Sequence, residues 1–285
     1  MESTPETIKQ LFKDIVPLKS QREERKKISE LLAVPEYSKC FLRGLREKYS
    51  HIKKEHVSIV TCTNKPQFIK NIFQNYRSQA YEKKELIIIL NRDDMDINRW
   101  RMRAEKEKNI FVYQLPEQVS LGHCYNYAVD KANYDFVATF DDDDYYAPNY
   151  LSDLMQAFIY TDADIVGKLT YFLYLEEKNI LAIRNRAQEY KYLDRSLFLD
   201  GGKKIVKRKV FDSVQYRDVT LLEDVYFCED SIDKGFKIFS ADKYNLAYLR
   251  RNNKNNHTWK EEDRKLLKWC TVVERTNRYK TSVIL

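Results

Sequence analysis

Glycine is scarce in this chain, six in 285 residues, and the loop after the first β-like run, Thr61 to Pro66, contains none. That absence argues against a glycine-rich phosphate cradle, and so against nucleotidyl transfer built on such a loop. The one adjacent pair, Gly201-Gly202, therefore stands out as a turn or a close approach of backbone to ligand. The five cysteines, Cys40, Cys62, Cys124, Cys228 and Cys270, are odd in number, scattered and without CxxC spacing. They read as reduced packing thiols of a cytoplasmic protein rather than a disulfide framework. No apolar run is long enough to span a bilayer, and no basic leader with an apolar stretch opens the chain, which speaks against a transmembrane segment and against secretion by a signal peptide. A net charge of +7 is moderate, with basic and acidic residues interleaved in stretches such as Gln21 to Lys27. The concentrated stripe of a nucleic-acid binder is missing, whereas an anionic substrate or an acidic membrane surface suits the excess charge.

What is present is enough apolar material, 43% hydrophobic and 13% aromatic, for one large α/β domain with a sizeable core. Residues 1–55 read as helices only: Ile8, Leu11, Phe12 and Ile15 at helical spacing, then Ile28, Leu31 and Leu32, then Tyr37, Phe41, Leu42 and Leu45. Such short helices bury too little surface to stand alone, so they should pack on the main domain or on a second subunit as a homo-oligomer. From His56 the period changes. Strand-like runs at Val57 to Thr61, Leu86 to Leu90, Ile110 to Leu115 and Phe136 to Phe140 alternate with helical patterns, which predicts a doubly wound, mostly parallel sheet. Its ligand crevice should be lined by Thr61 to Asn64, Asn91 to Asp94 and Asp141 to Asp144.

The last of these is the most informative stretch. Phe136 to Phe140 runs straight into Asp141-Asp142-Asp143-Asp144. Four successive carboxylates repel one another unless they lie in a solvated loop or share a divalent cation with hard oxygen ligands. Their place at the carboxyl end of a strand favours a metal and phosphate site, although Asp144 could equally start the helix over Asn149 to Tyr160. Beyond it, Ile165 to Gly167, Tyr171 to Tyr174 and Ile180 to Ile183 suggest antiparallel hairpins completing a mixed sheet. Asp224 lies at the start of a helical pattern that ends near Gly235. Residues 251–285 read as a polar, flexible loop carrying His257, followed by a helix with Leu266, Leu267, Trp269 and Val273. His257 could complete a metal shell or meet a diphosphate once that loop closes.

Taken together, the strand Val57-Ser58-Ile59-Val60, the strand Glu85 to Asn91, Asn126, the aspartate run and Glu223-Asp224 resemble a family 2 glycosyltransferase with the GT-A fold. The resemblance covers about Val57 to Trp259, and is nearest to the branch associated with spore coat polysaccharide in spore-forming bacteria. It implies a GT-A domain over residues 56–250 and an inverting transfer from a nucleotide-diphosphate sugar of UDP or dTDP type to a glycan or protein acceptor. It also implies Mn2+ or Mg2+ held first by Asp143, with Asp141 and Asp142 serving ribose or water ligands. Asn91 or Asp93 would read the base, with Arg92 stacking on it; Thr61, Thr63 and Asn126 would line the nucleotide. Asp224 would take the acceptor's proton, and Lys168, Tyr171, Gly201, Gly202 and Glu223 would contact sugar or acceptor. The resulting protein would be cytoplasmic, at a membrane surface or the developing spore surface. A non-catalytic sugar-nucleotide-binding or assembly protein on the same fold is the competing reading.

Overall fold

The computed structural model describes residues 4–251 and 261–285. Its first helices are α1 (Glu6–Ile15), α2 (Gln21–Glu24), α3 (Ile28–Leu32) and α4 (Pro35–Lys48). Alternation follows as β1 (Val57–Thr63), α5 (Ile69–Ser78), β2 (Lys84–Asn91), α6 (Ile97–Ala104), β3 (Ile110–Leu115), α7 (Leu121–Lys131) and β4 (Phe136–Thr139). Next come β5 (Tyr145–Tyr146), α8 (Tyr150–Tyr160), β6 (Ile165–Gly167), β7 (Tyr171–Leu175), β8 (Ile180–Arg184), β9 (Lys191–Tyr192) and β10 (Lys204–Lys207). The chain closes with α9 (Arg208–Phe211), α10 (Glu223–Asp233), β11 (Ile238–Ser240), β12 (Leu246–Arg250), α11 (Asp263–Lys268), β13 (Cys270–Arg275) and α12 (Lys280–Val283).

The larger sheet has eight strands in the order β3-β2-β1-β4-β10-β6-β11-β9. β3, β2, β1 and β4 are parallel, while β10 runs antiparallel to both β4 and β6. Strand order reverses between β1 and β4, so their carboxyl ends open a crevice at the switch point. The apolar run of β2 is continuous because both faces are covered. Leu86, Ile88 and Leu90 pack with Phe73 of α5 and Trp100 of α6, whereas Ile87 and Ile89 pack with Cys124 and Ala128 of α7.

The antiparallel part departs from the expectation of one mixed sheet. The β7–β8 hairpin belongs to a second sheet, ordered β13-β8-β7-β12-β5, in which β12 runs parallel to β7. A second correction concerns the last helix: α11 stops at Lys268, and Val273 lies in β13, antiparallel to β8. Thr271, Val272 and Val273 are β-branched and favour that extended pairing over helix.

The N-terminal helices pack on this body. Phe41 is fully buried, with ring centroids 5.4 Å from Phe12 and 5.0 Å from Tyr190. Arg46 of α4 grips Asp153 of α8 in a bidentate pair at 2.7 and 2.9 Å, and Ser38 is hydrogen-bonded to Tyr244 at 2.9 Å. No helix among the described residues is long and apolar enough to cross a membrane. Because Phe41 joins the helices to the same core as the sheet, Phe41→Ala is expected to lower the unfolding free energy by about 3–5 kcal/mol in one cooperative urea transition; a change below about 1 kcal/mol would show that the helices add little to the core.

Candidate active site

The acidic loop leaves β4 and is pinned along its whole backbone. Phe140 stacks on Tyr146 with centroids 3.9 Å apart. The Asp141 amide donates to the Tyr146 hydroxyl at 2.7 Å, and that hydroxyl donates to the Gly202 carbonyl at 2.7 Å. Thr139 donates to the Gly201 carbonyl at 2.6 Å. From α5, Asn71 donates to the carbonyls of Asp142 and Asp144 at 2.7 and 2.9 Å, and Asn75 reaches Asp144 at 2.9 Å. Arg251 donates to the Asp143 carbonyl at 3.0 Å. With the carbonyls used this way, the side chains of Asp141 to Asp143 are set by a fixed frame.

Among the described residues, Lys65 and Lys203 face the loop. Lys65, in the turn after β1, places its ammonium 3.3 Å from Asp142 and 3.4 Å from Asp143. Thr63 donates to Asp142 at 2.5 Å. Burial and the neighbouring Asp143 nevertheless push the Asp142 carboxyl up to about 7. Lys203, 3% exposed, lies 3.6, 3.7 and 3.8 Å from Asp141, Asp144 and Asp200, between the rings of Tyr171 and Tyr248. Burial alone would lower its pKa, but the three carboxylates outweigh burial and raise it. Asp200, conversely, is held below the usual carboxylate range because Lys203, Arg184 and a hydrogen bond from Tyr171 overcome its desolvation.

Asp144 does not start a helix. It is fully buried, accepts the Leu249 amide of β12 at 2.9 Å, and burial drives its pKa well up. α8 begins six residues later, behind Asn149, whose side chain makes no cap and donates instead to the Leu285 carbonyl. The second sheet claims this carboxylate, a partner that helix spacing could not reveal.

Across the crevice stand Glu223 and Asp224 at the start of α10. The chain enters that helix through Leu222 in the left-handed region (φ 66°), a conformation a leucine holds only under constraint. The preceding segment is stitched to α7: Asn126 exchanges two hydrogen bonds with the Tyr216 backbone at 2.8 and 2.9 Å, and the Gly122 amide donates to Val219 at 3.0 Å. Asn126 thus fixes the segment that carries the two carboxylates. A Cβ on Gly201 would lie 3.7 Å from Glu223 and 3.8 Å from Asp141, so this glycine sits between the two acidic groups. Burial and Asp224 push the Glu223 carboxyl up to about 7; burial also raises Asp224, which accepts the Val225 amide at 2.8 Å.

Other expected contacts are arranged differently. Thr61 is buried within β1. Asn91 donates to the Pro116 carbonyl at 2.8 Å, Asp93 accepts the Glu117 amide, and Arg92 is engaged by Asp94 at 2.7 Å. The side chains of the second strand end are therefore tied to the end of β3, while the first and third ends meet through Thr63, Lys65 and Asp142. Lys168 is completely buried and commits its ammonium to Asp242 at 2.8 and 2.9 Å, leaving nothing to offer a sugar. Tyr171 is likewise buried, on Asp200 and Lys203. His257 lies outside the described residues.

Sequence reasoning missed Lys65, Asn71, Asn75, Asp200 and Lys203. Lys65 sits two residues beyond Thr63 in the crevice loop, and Lys203 follows the glycine pair, so both were within reach of the same argument. Among the described residues no three or more His, Cys, Asp or Glu side chains already converge to hold a metal ion.

Comparison with solved structures places the fold in a known class. The chain resembles TarS 1-349 of S. aureus in complex with UDP-GlcNAc, with 15% identity, TM-score 0.52, 70% of this chain and 59% of that one covered. It also resembles the mannosyltransferase PcManGT of Pyrobaculum calidifontis in complex with GDP-Man and Mn2+, with 12% identity, TM-score 0.56, 79% of this chain and 70% of that one. GalNAc-T7 with UDP, GalNAc and Mn2+ matches at 12% identity and TM-score 0.56, over 70% of this chain and 44% of that one. These likenesses define the fold as GT-A, and the chain spans about three fifths of the TarS chain it matches. A search of curated proteins found no match. The family model "Glycosyl transferase family 2" covers residues 58–214, more than half of the chain, which belongs to that family.

Two outcomes test the geometry. A Cβ on Gly202 would lie 2.3 Å from Asp141 Cγ and 2.5 Å from its backbone nitrogen, so Gly202→Ala should displace the acidic loop and cost about 1–3 kcal/mol, read by denaturation; an unchanged midpoint would contradict the packing. Glu223 keeps its proton in the folded state to about pH 7 but loses it near 4.5 when unfolded. The folded state thus binds the extra proton, and its stability should fall as pH rises from about 4.5 to 7. Glu223→Gln should flatten that slope in urea titrations, whereas an unchanged slope would place its source elsewhere.

Proposed function

We propose that this chain transfers a sugar, with inversion at the anomeric carbon, from a nucleotide-diphosphate sugar to a glycan or protein acceptor in surface or spore polysaccharide synthesis. The observation that carries the reading is the acidic loop at the switch point of the sheet, facing the Glu223-Asp224 helix start across Gly201. The family supports glycosyl transfer. The TarS, PcManGT and GalNAc-T7 structures, which hold UDP or GDP sugars or products, two of them with Mn2+, support the donor class and the metal.

The residues fit a divalent cation by the chemistry of their donors. Asp141, Asp142 and Asp143 offer hard carboxylate oxygens, and burial and the adjacent Asp143 both disfavour a bare carboxylate at Asp142, a cost that a bound cation would offset. Small divalent ions are commonly held by one or two carboxylates plus substrate phosphates, so a full protein cage is not required. Asp143 is the ligand assigned first, with Asp141 and Asp142 toward ribose or water. When bound, Mn2+ or Mg2+ would act as a Lewis acid for the leaving diphosphate. Asn91 or Asp93 with Arg92 would bracket the base at the end of β2. Asp224 takes the proton from the acceptor hydroxyl as its oxygen bonds to the anomeric carbon and the diphosphate departs; burial makes this carboxylate the more basic. Glu223 lines the acceptor side.

Substitution separates the roles. Asp143→Ala should abolish metal-dependent binding of UDP-sugar or GDP-sugar measured calorimetrically, and full binding without metal would contradict its role. Asp224→Asn should keep donor binding and reduce transfer or donor hydrolysis about 10²–10⁴-fold; unchanged turnover would remove it from catalysis.

A further inference from the structure

The Lys65 ammonium lies between Asp142 and Asp143, 3.3 Å from one carboxylate and 3.4 Å from the other. It is held there from several sides. The Lys65 amide donates to Thr63 Oγ1 at 3.1 Å, the same hydroxyl donates to Asp142, and Pro66 follows immediately at the start of a short helical turn. The ammonium also lies 5.5 Å from the Phe68 ring. The lysine side chain therefore delivers one positive charge to two adjacent carboxylates of the acidic loop. The Lys203 side of the loop is different, since that ammonium is buried among Asp141, Asp144 and Asp200 and is part of the core.

We infer that Lys65 is an exchangeable counter-cation: without donor it offsets part of the charge of Asp142 and Asp143, and it yields Asp143 to the divalent metal and moves to a diphosphate oxygen when the nucleotide arrives. This rests on the reading of Asp143 as a metal ligand. Two cations on these carboxylates repel each other, so metal entry is opposed while the ammonium stays and eased when it leaves. A diphosphate supplies both a new partner for the ammonium and further oxygens for the metal. The two ligands are thereby coupled: each binds better once the other is present, by the same factor. Lys65 makes the crevice resistant to metal alone.

The coupling is read from Mn2+ binding, followed by the electron paramagnetic resonance signal of free Mn2+, with the metal alone and then with UDP or GDP. Wild type should bind Mn2+ weakly alone and at least about ten-fold more tightly with nucleotide. Lys65→Met should bind Mn2+ alone at least about ten-fold more tightly than wild type, and nucleotide should tighten it by a smaller factor than in wild type, the diphosphate oxygens being then the only gain. Lys65→Gln, which keeps a hydrogen-bond donor without the charge, should behave alike and serves if the methionine variant does not fold. Mn2+ binding to wild type with nucleotide, but no tightening in either variant, would overturn the exchange and leave the metal reading intact. Absence of Mn2+ binding in all forms with either nucleotide would instead overturn the metal reading, and the exchange with it.

Discussion

The buried ammonium of Lys203 is the contact on which the crevice depends. It lies within 3.6–3.8 Å of Asp141 and Asp144 from the acidic loop and Asp200 from the glycine turn, between Tyr171 and Tyr248 of the second sheet. An isolated charge in that position would be strongly destabilising, and so would two or three unpaired carboxylates. Together they form a joint at which the two sheets and the turn meet. Gly202 permits the approach, since any side chain there would collide with Asp141. The loop is anchored on its core side by Lys203, while Asp142 and Asp143 meet the less deeply buried Lys65.

This division explains how four adjacent aspartates persist in one fold. The loop turns Asp144 inward to the Leu249 amide and, with Asp141, to Lys203, while Asp142 meets Thr63 and, with Asp143, Lys65. Asn71 and Asn75 absorb the carbonyls from behind. The loop is thus a surface with one structural and one chemical side, set by the reversal of strand order between β1 and β4.

Much of the fold was legible because its signals are local. The unbroken Leu86 to Leu90 run suits a parallel strand covered on both faces, which is how β2 sits in the sheet. The aspartates could be placed at a strand end for the same reason. What could not be read depended on partners distant in the chain. Asp144 resembled a helix-start carboxylate because Leu249, 105 residues away, leaves no trace near it. Lys168 looked available to a sugar until Asp242, 74 residues away, claimed it. Val273 fitted a helical stripe with Leu266 and Trp269, yet pairing of β13 with β8 took precedence over that spacing. Lys65 and Lys203 were visible as residues, but their importance follows from which carboxylates they reach.

The central claim is that the acidic loop binds the diphosphate of a sugar nucleotide through a divalent cation. A thermal-shift series with UDP- and GDP-sugars, with Mn2+ and then with EDTA, addresses it most directly, because a ligand selective for the folded state raises Tm. The account predicts that at least one donor raises Tm by about 5 °C or more at a hundred times its Kd, and that EDTA removes the shift. A shift of equal size without metal, or none with any donor, would contradict it.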